Sequence, residues 1–297
     1  MVTTKYLRSK IKTTKSLQKI ISALEFSSTS KLQRLKNQTL YFKEFFYEFL
    51  YVVEYVQKQI DIFDTSFQEV ATSKKRLLVV ITSDKGLCGG LNTNILKRVV
   101  HSYGTRKEMV DIIAIGKKGK EFFQRNGRNV VASLSLRDKV SSGELVELYE
   151  YLRKALDQKQ YSRVKVYFNF FKNTLLQVPV RFHLFPMNQE TLDEFVKEVE
   201  MKSPLNRRRY HELMIEPDVE TYKQHMVQNI LENMIYYTVL NAKTSEHAAR
   251  MLAMKSSKDN CVELEAQLRR AYNKTRQGKI TQEISEIVGT KLALEGK

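Results

Sequence analysis

RLLVVITSDKGLCGGLNTNIL (76–96) puts three structural signals in one line. An apolar run, RLLVVIT, reads as a strand. The glycine-rich turn GLCGG follows, and a helix starts near Asn92. Strand, glycine loop and helix form the opening unit of many nucleotide sites and of alternating α/β folds in general. The alternation continues downstream. MVDIIAIG (109–116) reads as a strand and KKGKEFFQRNG (117–127) as a helix with a glycine stop. NVVASLSL (129–136) is a further strand, and SGELVELYEYLRKAL (142–156) a helix starting at a serine cap. RVKVYFNF (163–170) and LLQVPVRFHLF (175–185) complete the set as two last strands. This order predicts an open, largely parallel, Rossmann-like sheet.

Glycine and proline mark where that domain begins and ends. Neither occurs before Gly86, 8 of the 11 glycines lie between Gly86 and Gly143, and all 4 prolines lie between Pro179 and Pro217. Two long segments free of breakers therefore flank the turn-rich middle. In the first, Leu7, Ile11, Thr14, Leu17, Ile21, Leu24, Ser28, Leu32 and Leu35 recur in steps of three and four, the seam of a left-handed coiled coil. In the last, Val219, Tyr222, Met226, Ile230, Met234, Tyr237, Met251, Met254, Cys261, Leu264 and Leu268 keep a helical stripe. Helices of roughly 80 and 105 Å cannot stand on propensity alone. They are predicted to pair as an antiparallel coiled coil, the longer C-terminal one continuing unpaired beyond it. The expected division is a helix over 1–70, an α/β domain over 76–205 and a helix over 211–297.

The 50 Lys and Arg against 33 Asp and Glu give a formal charge of +17, which asks for an acidic or polyanionic partner. The two cysteines, Cys88 and Cys261, have no metal spacing and read as free thiols of a reducing compartment. Neither a signal peptide nor a transmembrane helix is expected, since FFYEFLYVVEYV (45–56) carries Glu48 and Glu54. The glycine loop lacks the Walker lysine, and its spacing of Gly86, Gly89 and Gly90 is not the dinucleotide fingerprint. Turn geometry and close packing explain its glycines better than phosphate does. His101, His183, His211, His225 and His247 are scattered, and HELM at His211 lacks a second histidine. No catalytic pair, cofactor site or metal site is expected. Arg207, Arg208 and Arg209 could meet phosphate, but the aromatic residues gather at 41–67, away from them. A basic coiled-coil module for nucleic acid or anionic membrane stays open as a distant alternative. On the last helix, Arg276, Gln277, Thr281 and Glu286 lie at mixed angles beside Ile280, Ile284 and Ile287, as a surface for contact all round would.

ITSDKGLCGGLNTNI (81–95) resembles the TSDRGLCGGLN segment of the gamma subunit of F-type rotary ATP synthases. SEHAARMLAMKSSKDN (245–260) and YNKTRQGKITQEISEIVG (272–289) resemble that family's C-terminal blocks, and QKIISALEFSSTSKL (18–32) its N-terminal one, with weaker echoes in IGKKGKEFFQRNG and QVPVRFHLFP. The likeness runs in order along nearly the whole chain. It implies a non-catalytic central shaft inside a hexamer of alpha and beta subunits, with an epsilon subunit and a membrane rotor ring as further partners. It also implies a peripheral position at the cytoplasmic face of the cell membrane, with membrane contact only through the complex. By the same resemblance, Arg276, Gln277 and Thr281 would touch beta-subunit loops, with Glu286 a further subunit contact near them, and Glu246 and Arg250 would sit at a similar sleeve. Lys31 and Leu24 would make such contacts from the facing N-terminal helix. The chain departs from the family at IISALEFSS, where Leu24 and Phe26 replace methionines, and at Gly278, which replaces an alanine. A shaft of a related rotary ATPase with another load is the alternative reading.

Overall fold

The computed structural model describes residues 3–64, 75–103, 109–201 and 214–295, with side chains up to residue 291. Arg207–Arg209, His211, and the expected boundaries at residues 70, 205 and 211 lie outside the described residues. The chain divides into two compact units, one of residues 29–250 and one of residues 1–28 with 251–297. Helices α1 (Thr4–Gln57) and α6 (Val219–Glu295) each contribute to both units.

The larger unit is built on five strands: β1 (Arg76–Ile81), β2 (Val110–Ile115), β3 (Asn129–Leu134), β4 (Arg163–Phe171) and β5 (Gln177–Phe185). Their order is β3-β2-β1-β4-β5, parallel except for β5, which returns antiparallel along β4. β1 and β2 are near-continuous apolar runs because both their faces are buried. On one face Leu78, Val80, Ile112 and Tyr167 pack against Ile95 and Val99 of α2 (Leu91–Tyr103) and Phe123 of α3 (Lys117–Arg125). On the other, Leu77, Val79, Val166, Phe168 and Phe182 meet α4 (Val146–Asp157), α5 (Gln189–Glu198) and the adjoining stretches of α1 and α6.

Two local expectations need correcting. Ser141 makes no capping hydrogen bond, and a 3-10 turn over Ser142–Leu145 leads into α4 instead, with buried Leu145 fixing the entry. Helix α5 was not anticipated. It is short and polar outside, but Asn188 and Thr191 form a reciprocal capping box that starts it, and Leu192 and Phe195 bury its inner face.

Aromatic residues hold α1 and α6 within this unit. Phe42 lies edge-on to Tyr236 with ring centroids 4.7 Å apart, and Phe46 sits between Phe195 and Tyr237 at 5.9 and 6.0 Å. Above them Thr39 and Thr244 share a buried hydroxyl hydrogen bond of 2.9 Å. The small side chains at that level let the two backbones approach.

The smaller unit uses the same helices differently. Lys15 pairs with Glu265 at 3.7 Å and Glu25 with Lys258 at 3.0 Å, so the chains run antiparallel. The covered positions on α1 include Leu7, Ile11, Thr14, Gln18, Ile21, Glu25 and Ser28. Leu17 and Leu24, expected in the seam, are exposed on its flank. Leu264 is likewise exposed, and Glu265 occupies the covered position beside it. Ion pairs thus line this seam, and Leu17, Leu24 and Leu264 lie on its flank. Beyond Thr275, every described side chain to residue 291 is exposed.

Candidate functional site

The glycine loop closes on itself before it can receive a ligand. The Ser83 hydroxyl donates to the Lys85 carbonyl at 2.7 Å, and Asn92 binds Ser83 twice, accepting from its amide at 3.0 Å and donating to its hydroxyl at 2.7 Å. Cys88 is buried under this knot, 3.4 Å from the Asn92 amide nitrogen. Gly89, at φ +58°, supplies the left-handed residue that the turn needs. Close packing, however, is not why these glycines are there. A β-carbon on Gly86 or Gly89 would meet nothing within 4 Å. The crowded glycines are at the next crossing. A β-carbon on Gly116 would stand 2.1 Å from the Thr82 carbonyl oxygen, and one on Gly119 2.8 Å from the Thr82 hydroxyl, which accepts the Gly119 amide.

Helix α6 clasps the loop through residues at i, i+3, i+4 and i+7. The Arg250 guanidinium donates to the Lys85 and Gly86 carbonyls at 3.1 and 3.3 Å and pairs with Glu246 at 2.8 Å. Lys243 donates to the Leu136 carbonyl at 3.1 Å and lies 3.4 Å from Glu246 and 3.7 Å from Asp84. Asp84 in turn accepts the Lys117 amide at 3.0 Å, serving the first turn of α3, whose own N-cap, Gly116, has no side chain to offer. His247 contacts Asp138 at 3.2 Å, and Lys31 of α1 contacts it at 2.6 Å. Ser245 donates to the Asn169 carbonyl on β4 at 2.8 Å.

Lys243, Glu246, His247 and Arg250 sit in low-dielectric surroundings, where a pair is worth keeping only with full hydrogen bonding. Burial alone would raise Asp138, but the Lys31 bond and the positive charges around it bring it down to about 2. Burial pushes His247 below the ordinary histidine range, against the pull of Glu246 and Asp138. The loop offers carbonyls that are already taken, no paired nucleophile and base, and a buried thiol. Among the described residues no cluster of three or more His, Cys, Asp or Glu side chains could hold a metal ion. The arrangement can lock α1, α6 and the rim of the sheet together.

The residues expected to contact partners fall into two groups. Glu246 and Arg250 are only 5% and 8% exposed and face inward, and Lys31 is tied to the same network through Asp138 and His247. Leu24, Arg276, Gln277, Thr281 and Glu286 are exposed, Thr281 and Glu286 holding only their own helix turn. Ile280, Ile284, Ile287 and Val288 beside them are about half exposed or more, between 47% and 69%. Asp84, Asp138, Lys243 and His247 were missed from sequence. The helical spacing of Lys243, Glu246, His247 and Arg250 was the one available signal for the clasp.

A family model described as ATP synthase matches residues 3–294. The ATP synthase gamma chains of Nitrosomonas eutropha and Nitrosospira multiformis are each 32% identical over 97% of this chain and 98% of their own length. Among solved structures, a chain of the Euglena gracilis mitochondrial ATP synthase covers 98% of this chain and 94% of its own, with a TM-score of 0.70 and 21% identity. A chain of the Tetrahymena thermophila mitochondrial ATP synthase central stalk and c-ring covers 80% and 98%, with a TM-score of 0.60 and 22% identity. At that identity the solved structures speak to the fold, which is the same arrangement of long terminal helices and a parallel-dominated sheet. The matching sequence runs the full length of both gamma chains, and the glycine loop and the α6 clasp that it contains are tied together in the structure: the chain belongs to the ATP synthase gamma-chain family.

Proposed function

We propose that this chain is the rotating central shaft of a rotary ATP synthase, carrying torque between an alpha/beta hexamer and a membrane rotor ring and catalysing nothing itself. The observation that carries the reading is the end of α6. From residue 276 to 291 a helix exposes isoleucine and valine on more than one side, without cover from its own unit. A lone amphiphile of that kind makes sense inside a ring of other subunits, where Arg276, Gln277, Thr281 and Glu286 meet several neighbours in turn. No helix among the described residues is long and apolar enough to cross a membrane. The chain then reaches the membrane through its partners, at the cytoplasmic face.

Single-molecule rotation tests this. With the alpha/beta hexamer fixed and a bead on the sheet domain, ATP should drive one-directional turning. A hexamer that hydrolyses ATP under a static bead overturns the shaft reading. The second reading, a shaft serving another load, is favoured by Phe26, which is 77% exposed on α1 where the family carries methionine. Co-purification of a proton-translocating ring with the complex would decide against it.

A further inference from the structure

The sheet carries a row of positive charge that the gamma-chain reading does not use. Arg76 of β1 stands directly beside Arg163 of β4, and Leu78 beside Lys165. Across the next ladder Lys165 faces His183, and Tyr167 faces Arg181 of β5. Partners in register share a face, and alternate residues return to it. Leu78, Val80 and Tyr167 belong to the core under α2 and α3, so Arg76, Arg163, Lys165 and Arg181 all lie on that same side. Arg98 of α2 adds a fifth cation and reaches over to the Pro179 carbonyl of β5. Like charges directly opposite on neighbouring strands are destabilising.

Counter-charge is scarce on this face. Asp111, on the adjacent strand, is in register with Leu77 and points to the opposite side, where Lys75 and Tyr161 take it at 2.7 and 2.8 Å. Glu194 of α5 is committed to His183 at 2.7 Å and to the His183 amide at 3.1 Å. The Arg181 Nε is buried and has no hydrogen-bond partner. Partial burial, followed by Arg181, Arg76 and Arg163, holds the Lys165 ammonium below its ordinary range. Arg163 and Arg98 are exposed, and Arg76, Lys165 and Arg181 are half-buried.

We propose that this face of β1, β4 and β5 is a docking surface for an acidic polypeptide segment, whose carboxylates meet Arg76, Arg163, Lys165 and Arg181 in a row. Strands lie about 4.8 Å apart, so the row extends over roughly 10 Å from β1 to β5. One tetrahedral ion cannot reach along it. A chain with carboxylates at alternate positions, some 7 Å apart when extended, can. The guanidinium forks suit paired hydrogen bonds to carboxylate oxygens. The proposal does not depend on rotation, and it can fail while the shaft reading stands.

The full-length chain is titrated against a fluorescent oligoglutamate peptide by anisotropy. Binding that weakens with salt is expected, as is a loss of about tenfold or more when Arg163→Gln and Lys165→Gln are combined. The control, Lys154→Gln with Lys197→Gln, removes the same charge from exposed positions elsewhere and should change affinity less than about twofold. Relief of repulsion should raise the melting temperature of the double variant on the face by about 1–2 °C. Equal weakening by both pairs means that overall basicity binds the peptide, and overturns the proposal. So does absence of binding, or a fall in melting temperature, which would make these cations structural. Capture of phosphatidylglycerol vesicles without the peptide would also overturn it, in favour of a lipid surface.

Discussion

Helices α1 and α6 are packed in two ways along their length. In the larger unit Phe42, Phe46, Phe195 and Tyr237 stack between them, and Leu35, Met234 and Leu240 are fully covered. In the smaller unit the covered positions include Thr14, Gln18, Glu25 and Ser28, facing Lys258 and Glu265. A buried large apolar side chain stabilises by about 1.5–3 kcal/mol, whereas a partly exposed ion pair gives about 0–1 kcal/mol. Stability is therefore concentrated where the helices meet the sheet. The coiled coil is held loosely, and its polar seam fixes register and direction more than it fixes strength.

The largest expected effect tests the rigid half. Gly116→Ala places a β-carbon 2.1 Å from the Thr82 carbonyl oxygen, at φ +97°, and should cost more than about 4 kcal/mol in denaturant unfolding. A loss under about 1 kcal/mol would mean that the sheet rim yields, and the contrast between the halves would narrow. Phe46→Ala, which empties the aromatic stack, should cost about 3–5 kcal/mol, read in the same way. An equal cost for Glu25→Gln would break the comparison outright. The clasp adds a dependence on pH. A histidine held below its unfolded value favours the neutral ring, so its contribution is present above about pH 6.5 and is lost as pH falls through the folded value. Melting temperature should decline over that range in the native chain, and His247→Phe should flatten the decline. An unchanged profile would assign the slope to other groups. The smallest effect is in the lone helix. Gly278→Ala, with nothing within 4 Å of the new carbon, should stabilise the helix locally by about 1 kcal/mol, seen as slower amide exchange around residue 278 without a shift in global melting. A shift in global melting would show that the tip is coupled to the core.

The sheet was legible because β1, β2 and β4 carry apolar runs, with glycine turns after β1 and on both sides of β2, and period and punctuation are local properties. The rotation of α1 was not. Leu17 and Leu24 outrank Gln18 and Glu25 on hydrophobicity, and the pairing of Glu25 with Lys258 of the distant helix is invisible in the local pattern. The glycine loop is a corner, as its turn residues suggested, but the close packing expected of its glycines lies elsewhere, since Thr82, just after β1, crowds Gly116 and Gly119 from 34 residues upstream of the nearer one. The clasp was partly visible as a helical spacing on α6. Its partners Asp84, Lys85 and Asp138 come from loops far away in the chain, and no local pattern links them. Helix α5 was missed although its capping box was present as N-x-x-T, because a short helix after an apolar strand has too few buried residues to set a period.

The outward turn of α1 also bears on how such a chain can be made. Leu17, Ile20, Leu24 and Phe26 are exposed near the N-terminal end of α1, and Ile280, Ile284, Ile287 and Val288 near the C-terminal end of α6. Grouped apolar surface of this kind is what drives soluble proteins to associate without specificity. A cell that synthesised this chain in excess of its partners would fill with a sticky, unassembled product. Its production must keep step with whatever covers those residues, and expression alone should give aggregates that co-expression with the covering subunits prevents.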